Sequence, residues 1–311
     1  MNRYLLSNAA AVFRAAFEAY LQYMNKNIFI VGTLLLLTAT FHACSVSSTS
    51  ETGLSDSTKI VSTNGTLSEI LVELGFEDHI VGVDVASTYP ASLQQKPKIG
   101  HNRDISAEGV LGLGPDLVVG IAEVVKPQVA EQIRATGTRF LLFDHQYSEE
   151  GAKRLIRMVA DSLGQAAKGD SLLSALEADL AHADSITAQA KGKPKVLFIY
   201  ARGTGTMMVA GQRTQLDEMI KLAGGINAVQ GFEDFKPLTS EAVVAANPDV
   251  ILLFDSGLSS LGGIDGLLQV QGIAETNAGK NQKVVEMDGQ FLAGFGPRLG
   301  KAVIELAEKI H

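Results

Sequence analysis

The chain has 311 residues, enough for two modest domains or one large one. With 46% hydrophobic and 19% charged residues it has the makeup of a globular α/β protein and not of a long disordered one. The net charge of −8, with no basic stripe, argues against nucleic acid as a partner and against a dedicated anion scavenger.

Residues 28–41 form an apolar run, preceded by Met24-Asn25-Lys26-Asn27 and followed by His42-Ala43-Cys44. A short positive region, an apolar core and a small residue before the cleavage point describe a secretory signal. The run falls short of the ~20 apolar residues that span a bilayer, and a transmembrane anchor is the alternative reading. An apolar core ending at Ala-Cys resembles a bacterial lipoprotein signal. Cleavage before Cys44 leaves its thiol to carry lipid and so anchor the protein to a membrane, which accounts for the place of the only cysteine. Phe41 and His42 depart from the residues usual before such a cysteine. Met24-Asn25-Lys26 suits the start of a signal better than Met1 does. Residues 1–23 therefore read as an upstream extension, 24–43 as the signal and 44–58 as a polar, flexible tether.

From Lys59 the pattern becomes β/α. Ile60-Val61-Ser62, Ile80 to Asp84, Leu117 to Gly120 and Phe140 to Phe143 are short apolar runs between helical patterns, as in a buried parallel sheet. Leu67 to Leu74 has helical spacing and ends at Gly75. Residues 149–190 carry helical periodicity, with a break marked by Gly164 or Gly169. After Lys191-Gly192-Lys193-Pro194 the β/α pattern resumes with Val196 to Tyr200, then Val250 to Phe254 and Val284 to Met287. The predicted organisation is a first lobe over 59–148, a connecting helix over 149–190 and a second lobe over 191–311.

The two lobes echo each other. Ser106-Ala107-Glu108 leads to Pro115-Asp116 and a strand. Ser240-Glu241 leads to Pro248-Asp249 and a strand, with the same spacing from Glu to Pro. Each reads as a helix beginning at Ser and ended by Pro-Asp. Upstream, Leu67-Ser68-Glu69-Ile70-Leu71 matches Leu216-Asp217-Glu218-Met219-Ile220. A βα unit repeated in two halves predicts an α/β fold of two Rossmann-like lobes joined by a long α-helix. A ligand cleft is expected between the lobes.

This pattern resembles the periplasmic binding proteins with a rigid helical backbone that serve cobalamin, ferric siderophore and haem importers. The resemblance covers about 59–310. It is strongest to the haem-binding branch, through Gly82 to Pro90 with its Ser87-Thr88-Tyr89-Pro90 element, Ser106 to Leu111, Met208 to Gly211, Ala245 to Leu252 and Gly294-Phe295-Gly296-Pro297-Arg298. The resemblance implies an extracytoplasmic lipoprotein that captures haem as transported cargo and delivers it to an ABC permease and its ATPase. In the haem branch the Tyr of the Ser-Thr-Tyr-Pro element is the axial iron ligand, which here is Tyr89. Ferric iron favours an anionic oxygen, and tyrosinate is an established haem ligand. A free phenol has a pKa near ~10, so the iron or a nearby cation must favour its ionised form.

Around this ligand, Arg103 and His101 lie on the next loop of lobe one, where Arg103 has a phenolate or propionate to donate to. His145 and Tyr147 follow a further strand at the cleft edge. In lobe two, Arg202 to Met208 forms a Gly-rich loop without a Gly-Lys-Ser/Thr ending or a dinucleotide spacing, so nucleotide binding is rejected. This loop also lacks the His ligand of some haem-branch members. The second axial position is left open, water-filled or taken by a weak group such as Met207 or Met208, which serve equally as packing. The resemblance implies a propionate contact for Arg298, and docking against permease arginines for Glu108 and Glu241. A helix-start Glu is also favoured by the helix dipole. With neither a nucleophile elbow nor a His-Glu-x-x-His motif, the chain reads as a binding protein. The alternatives are the same fold carrying cobalamin or a ferric siderophore and, more distantly, a haem-modifying enzyme.

Overall fold

The structure is a computed structural model that describes residues 54–311 and Glu18. The proposed extension over 1–23, the signal over 24–43, Cys44 and the tether up to Gly53 lie outside the described residues, Glu18 apart.

The first lobe holds a four-stranded, all-parallel sheet in the order β2-β1-β3-β4, made of Ile60–Ser62 (β1), Ile80–Val83 (β2), Leu117–Ile121 (β3) and Arg139–Phe143 (β4). Helices Gly65–Glu73 (α1), Ala107–Leu111 (α2) and Pro127–Ala135 (α3) join them. The connecting stretch, read as a connecting helix with a break at Gly164 or Gly169, is two helices, Glu149–Ser162 (α4) and Ala166–Gln189 (α5). They part at Leu163–Gln165, where Gly164 takes φ 69°, a conformation that suits a residue without Cβ. Gly169 lies inside α5, where an added Cβ would come within 2.5 Å of the Ala160 Cβ, so its role is close packing of α4 on α5.

The second lobe holds Lys195–Ala201 (β5), Met207–Ala210 (β6), Ile226–Asn227 (β7), Phe235–Pro237 (β8), Val250–Phe254 (β9) and Val284–Met287 (β10). Their order is β10-β9-β5-β6-β8, with β7 beside β5. β6 and β8 run antiparallel to their neighbours, so this sheet is mixed. Its helices are Gln215–Leu222 (α6), Ser240–Ala246 (α7), Asp255–Ser260 (α8), Gly263–Leu268 (α9), Asn277–Asn281 (α10), Gly289–Ala293 (α11) and Leu299–Ile310 (α12). Among the described residues no helix is long and apolar enough to cross a membrane.

The strands are apolar on both faces because both faces are covered. Val196, Phe198 and Leu252 point into one buried cluster and Leu197, Ile199 and Ile251 into another, the period-two alternation of a strand. The first cluster also takes in Ile60, Leu117 and Val119 of lobe one, Leu155 and Leu176 of the connecting helices, and Leu306 of α12. The two sheets therefore share one continuous core.

The repeat appears in the hydrogen bonds. In lobe one the Lys59 amide donates to the Asp116 carboxylate at 2.8 Å, and the Asp116 amide returns a bond to the Lys59 carbonyl at 2.9 Å. In lobe two Lys195 and Asp249 repeat both bonds, at 3.0 and 2.8 Å. Each Pro-Asp thus ties the end of one βα unit to the start of its lobe's leading strand. The preceding helices differ by one residue from the expected start. Ser106 caps α2, but α7 is capped by Thr239 and Ser240 is its first helical residue. Glu108 and Glu241 consequently occupy the same second helical position, and both are exposed.

Candidate functional site

The candidate residues cluster at the carboxyl ends of the strands, the usual place for ligands in α/β sheets. The loop after β2 carries Tyr89, which is 39% exposed for a large aromatic residue. Beneath it lies a buried polar network. The Ser62, Ser68 and Ser87 hydroxyls stand 2.9 and 2.8 Å apart in series, and Ser87 donates to the Asp84 carboxylate. Burial pushes the Asp84 carboxyl above its usual range, against the pull of its hydrogen bonds and of the His101 and Lys98 charges. Lys98 donates to the carbonyls of Ser87 at 3.2 Å and Leu93 at 3.0 Å, so it spans the Tyr89 loop from below. Desolvation lowers the pKa of this ammonium, with Asp84 opposing. The Tyr89–Pro90 peptide bond is cis.

The second anchor of the loop comes from lobe two. The Gln290 side chain, on α11, accepts from the Thr88 amide at 2.9 Å, the Thr88 hydroxyl at 3.1 Å and the Tyr89 amide at 3.2 Å. Its nitrogen donates to the Gly65 carbonyl at 2.9 Å and approaches Glu69 at 3.4 Å. One amide therefore fixes the backbone of the Tyr89 element to the start of α1.

Arg298, at the N-terminus of α12, lies across the Tyr89 ring, with its guanidinium carbon 3.6 Å from the ring centre. The Phe291 ring centre is 4.9 Å away. Its Nε and Nη2 donate to the two oxygens of Glu69 at 2.9 and 2.8 Å. The propionate contact expected for Arg298 thus competes with a guanidinium already committed to Glu69 and to Tyr89. Glu69 is only 4% exposed. Burial raises its pKa, opposed by the hydrogen bonds and charge of Arg298. A crevice beside this pair, lined also by Thr66, Gln290 and Phe295, encloses only about 10 Å³, room for about one water molecule and far less than a small-molecule site.

The turn before Arg298 is held by lobe one. Phe295 is buried and takes φ 48°, a left-handed conformation costly for an aromatic residue. Thr66 donates to the Gly294 carbonyl at 2.6 Å and His145 Nε2 donates to the Phe295 carbonyl at 3.2 Å. Expected at a cleft edge, His145 is instead buried, and desolvation lowers its pKa. Tyr147 remains 42% exposed and packs edge-on to Phe295, with ring centres 5.8 Å apart. Burial raises its pKa, with the Arg103 charge opposing. Arg103 and His101 are exposed, and the Arg103 amide donates to His101 Nδ1 at 3.3 Å.

In lobe two, Arg202 sits on the hairpin after β5 with its guanidinium 5.7 Å from the Tyr200 ring centre. Met207 and Met208 are not on a loop as expected. They open β6, where Met208 pairs with Tyr200 and Pro237, and both side chains are half-buried. Glu69, Gln290 and Thr66 were not singled out as site residues. Their partners lie more than 200 positions away along the chain, beyond any local pattern.

Solved relatives share this arrangement of elements. The periplasmic haem-binding protein RhuT from Roseiflexus sp. RS-1, in apo form, is 42% identical with a TM-score of 0.79, over 82% of this chain and 98% of its own. The periplasmic haem-binding protein BhuT in complex with two haems is 39% identical with a TM-score of 0.77, over 81% of this chain and 97% of its own. The ABC transporter substrate-binding lipoprotein YvrC of Bacillus subtilis (strain 168), itself uncharacterised, is 28% identical over 81% of this chain and 80% of its own. The two solved likenesses agree with the two-lobed architecture. Residues 60–291 match the model described as periplasmic binding protein, and the chain belongs to that family.

Proposed function

We propose that this chain is the extracytoplasmic solute-binding component of an ABC importer, which captures haem for iron acquisition and hands it to the permease without chemical turnover. The observation that carries this reading is the exposed Tyr89 under the Arg298 guanidinium, in a chain so similar to two haem-binding proteins. A hard ferric iron calls for an anionic oxygen. A cation fixed on the ring face stabilises negative charge on the phenol.

Tyr89 is the axial ligand in this reading. The porphyrin edge meets Tyr147, while Arg103 and His101 serve the propionate side. Arg202 and Met208 contribute from lobe two, and the second axial position has no strong ligand assigned. Glu108 and Glu241 dock the two lobes on the permease, and a lipid on Cys44 tethers the protein to the membrane.

The test is to add hemin to the detergent-solubilised full chain and record its absorption spectrum. A Soret band with a high-spin ferric charge-transfer band is expected, and its loss in Tyr89→Ala. Cobalamin binding with no haem spectrum overturns the reading, and turnover of bound haem under reductant favours an enzyme instead.

A further inference from the structure

A buried carboxylate in the middle of an apolar helix calls for a reason. Helix α1 buries Leu67, Ile70 and Leu71 around Glu69. Glu218, its counterpart in the repeated half, makes only a surface contact with Lys221 at 3.7 Å. Removing a carboxylate from water is costly, and a buried ion pair gains little over a well-packed apolar pair. Stability alone therefore does not account for Glu69. What the pair does supply is direction. A flat guanidinium gripped by two hydrogen bonds has its orientation fixed, and here its carbon stands 3.6 Å from the Tyr89 ring centre.

We infer that Glu69 is a positioning residue for haem capture, which holds Arg298 over the Tyr89 ring from the opposite lobe. This rests on the reading of Tyr89 as the iron ligand. Gln290 completes the device, because the same amide that approaches Glu69 at 3.4 Å also holds the Thr88 and Tyr89 backbone. Ligand and cation are thus aligned before cargo arrives. Such preorganisation slows loss of the cargo.

Two mechanisms give opposite results. If Glu69 only offsets the Arg298 charge, its shape is irrelevant and its charge decisive. If it positions Arg298, its reach is decisive. Glu69→Asp keeps the charge and shortens the reach, whereas Glu69→Gln keeps the length and loses the charge. The measurements are the ferric/ferrous midpoint potential of the hemin-loaded full chain and the rate of hemin transfer to apomyoglobin.

A cation beside an anionic ligand disfavours the ferric state, so Arg298→Ala lowers the potential. Glu69→Asp is expected to lower it in the same direction and to speed hemin loss roughly tenfold, the size of one partly desolvated cation–π contact. In the Arg298→Ala background Glu69→Asp then has no further effect. A Glu69→Asp protein with wild-type potential and transfer rate overturns the inference, as does an additive effect in the Arg298→Ala background. If Tyr89→Ala leaves the haem spectrum and potential unchanged, the ligand assignment fails instead, which separates the two claims.

Discussion

Thr66 donates its hydroxyl to the carbonyl of Gly294 at 2.6 Å, tying the first helix of one lobe to the turn that ends in Arg298. Thr66 is buried, and its methyl carbon would lie 2.7 Å from a Cβ placed on Gly296. Both ends of its side chain thus shape the turn. Thr66→Val keeps the shape and removes the donor, leaving the Gly294 carbonyl without this partner. The expected cost is about 1–3 kcal/mol in urea unfolding, with faster hemin loss because Arg298 follows the turn. Thr66→Ser, which keeps the hydroxyl, recovers most of the hemin retention.

The C-terminal helix offers a second test. A Cβ on Gly300 would stand 2.4 Å from the Asp179 Cβ and 2.9 Å from the Leu180 amide nitrogen. Helices α12 and α5 therefore touch along backbone at this point, and the obstacle is not a flexible side chain. Gly300→Ala gains helix propensity of about 1 kcal/mol but forces the helices apart. A net loss of about 1–3 kcal/mol is expected, read as a lower thermal midpoint. A midpoint equal to or above wild type would mean that the contact yields freely.

Strands β1 to β5, β9 and β10 and the repeat were legible because both leave local signatures, whereas β6, β7 and β8 were not. Buried parallel strands are near-continuous apolar runs, and each Pro-Asp recurs at a fixed distance from its Glu because it closes the same bonds to Lys59 and Lys195. The proposed role of Tyr89 rests on the Ser-Thr-Tyr-Pro element, a local signature. Its supports leave none. Glu69, Gln290 and His145 act across the lobes, and their partners sit 150 to 229 positions distant. Met207 and Met208 were misplaced on a loop because four residues behind Gly203 and Gly205 are too short a run to show alternation. The sequence offers two glycines for the break in the connecting stretch, and the break falls at Gly164, while Gly169 is a packing position inside α5.

Asp84 gives the molecule a pH dependence with a definite sign. It is fully buried, and burial holds its carboxyl above the usual range despite the Ser87 hydroxyl, the Ala86 amide and the cations Lys98 and His101. In the unfolded chain the proton leaves at the ordinary value, in the folded chain at a higher one. Within that window the folded state binds more protons, so stability falls as pH rises through it. Asp84→Asn lacks this loss. Relative to wild type it gains stability as pH rises above the ordinary carboxylate range, measured as the difference in urea midpoints. A difference that shrinks toward neutral pH would mean that the ionised form is the one the fold favours.

If Glu108 and Glu241 dock the lobes on the permease, as proposed, delivery separates from capture at these two residues. Both sit one residue inside a helix start, and both are exposed. Neither is part of the network around Tyr89. An acidic group in the first turn favours the helix by about 0.3–1 kcal/mol, so reversing it carries a small stability cost. Charge pairs at the rim of an interface govern association and register, and two reversals remove an attraction on each lobe at once. Glu108→Lys with Glu241→Lys is therefore expected to leave the hemin spectrum and affinity unchanged and to reduce haem-dependent growth sharply, with either single change intermediate. Because exposed charges are screened by salt, the residual docking of the single variants to permease in proteoliposomes weakens further as ionic strength rises. Growth at the wild-type rate in the double variant would remove these residues from the docking surface. A matching loss of hemin affinity would instead place their effect within the lobes.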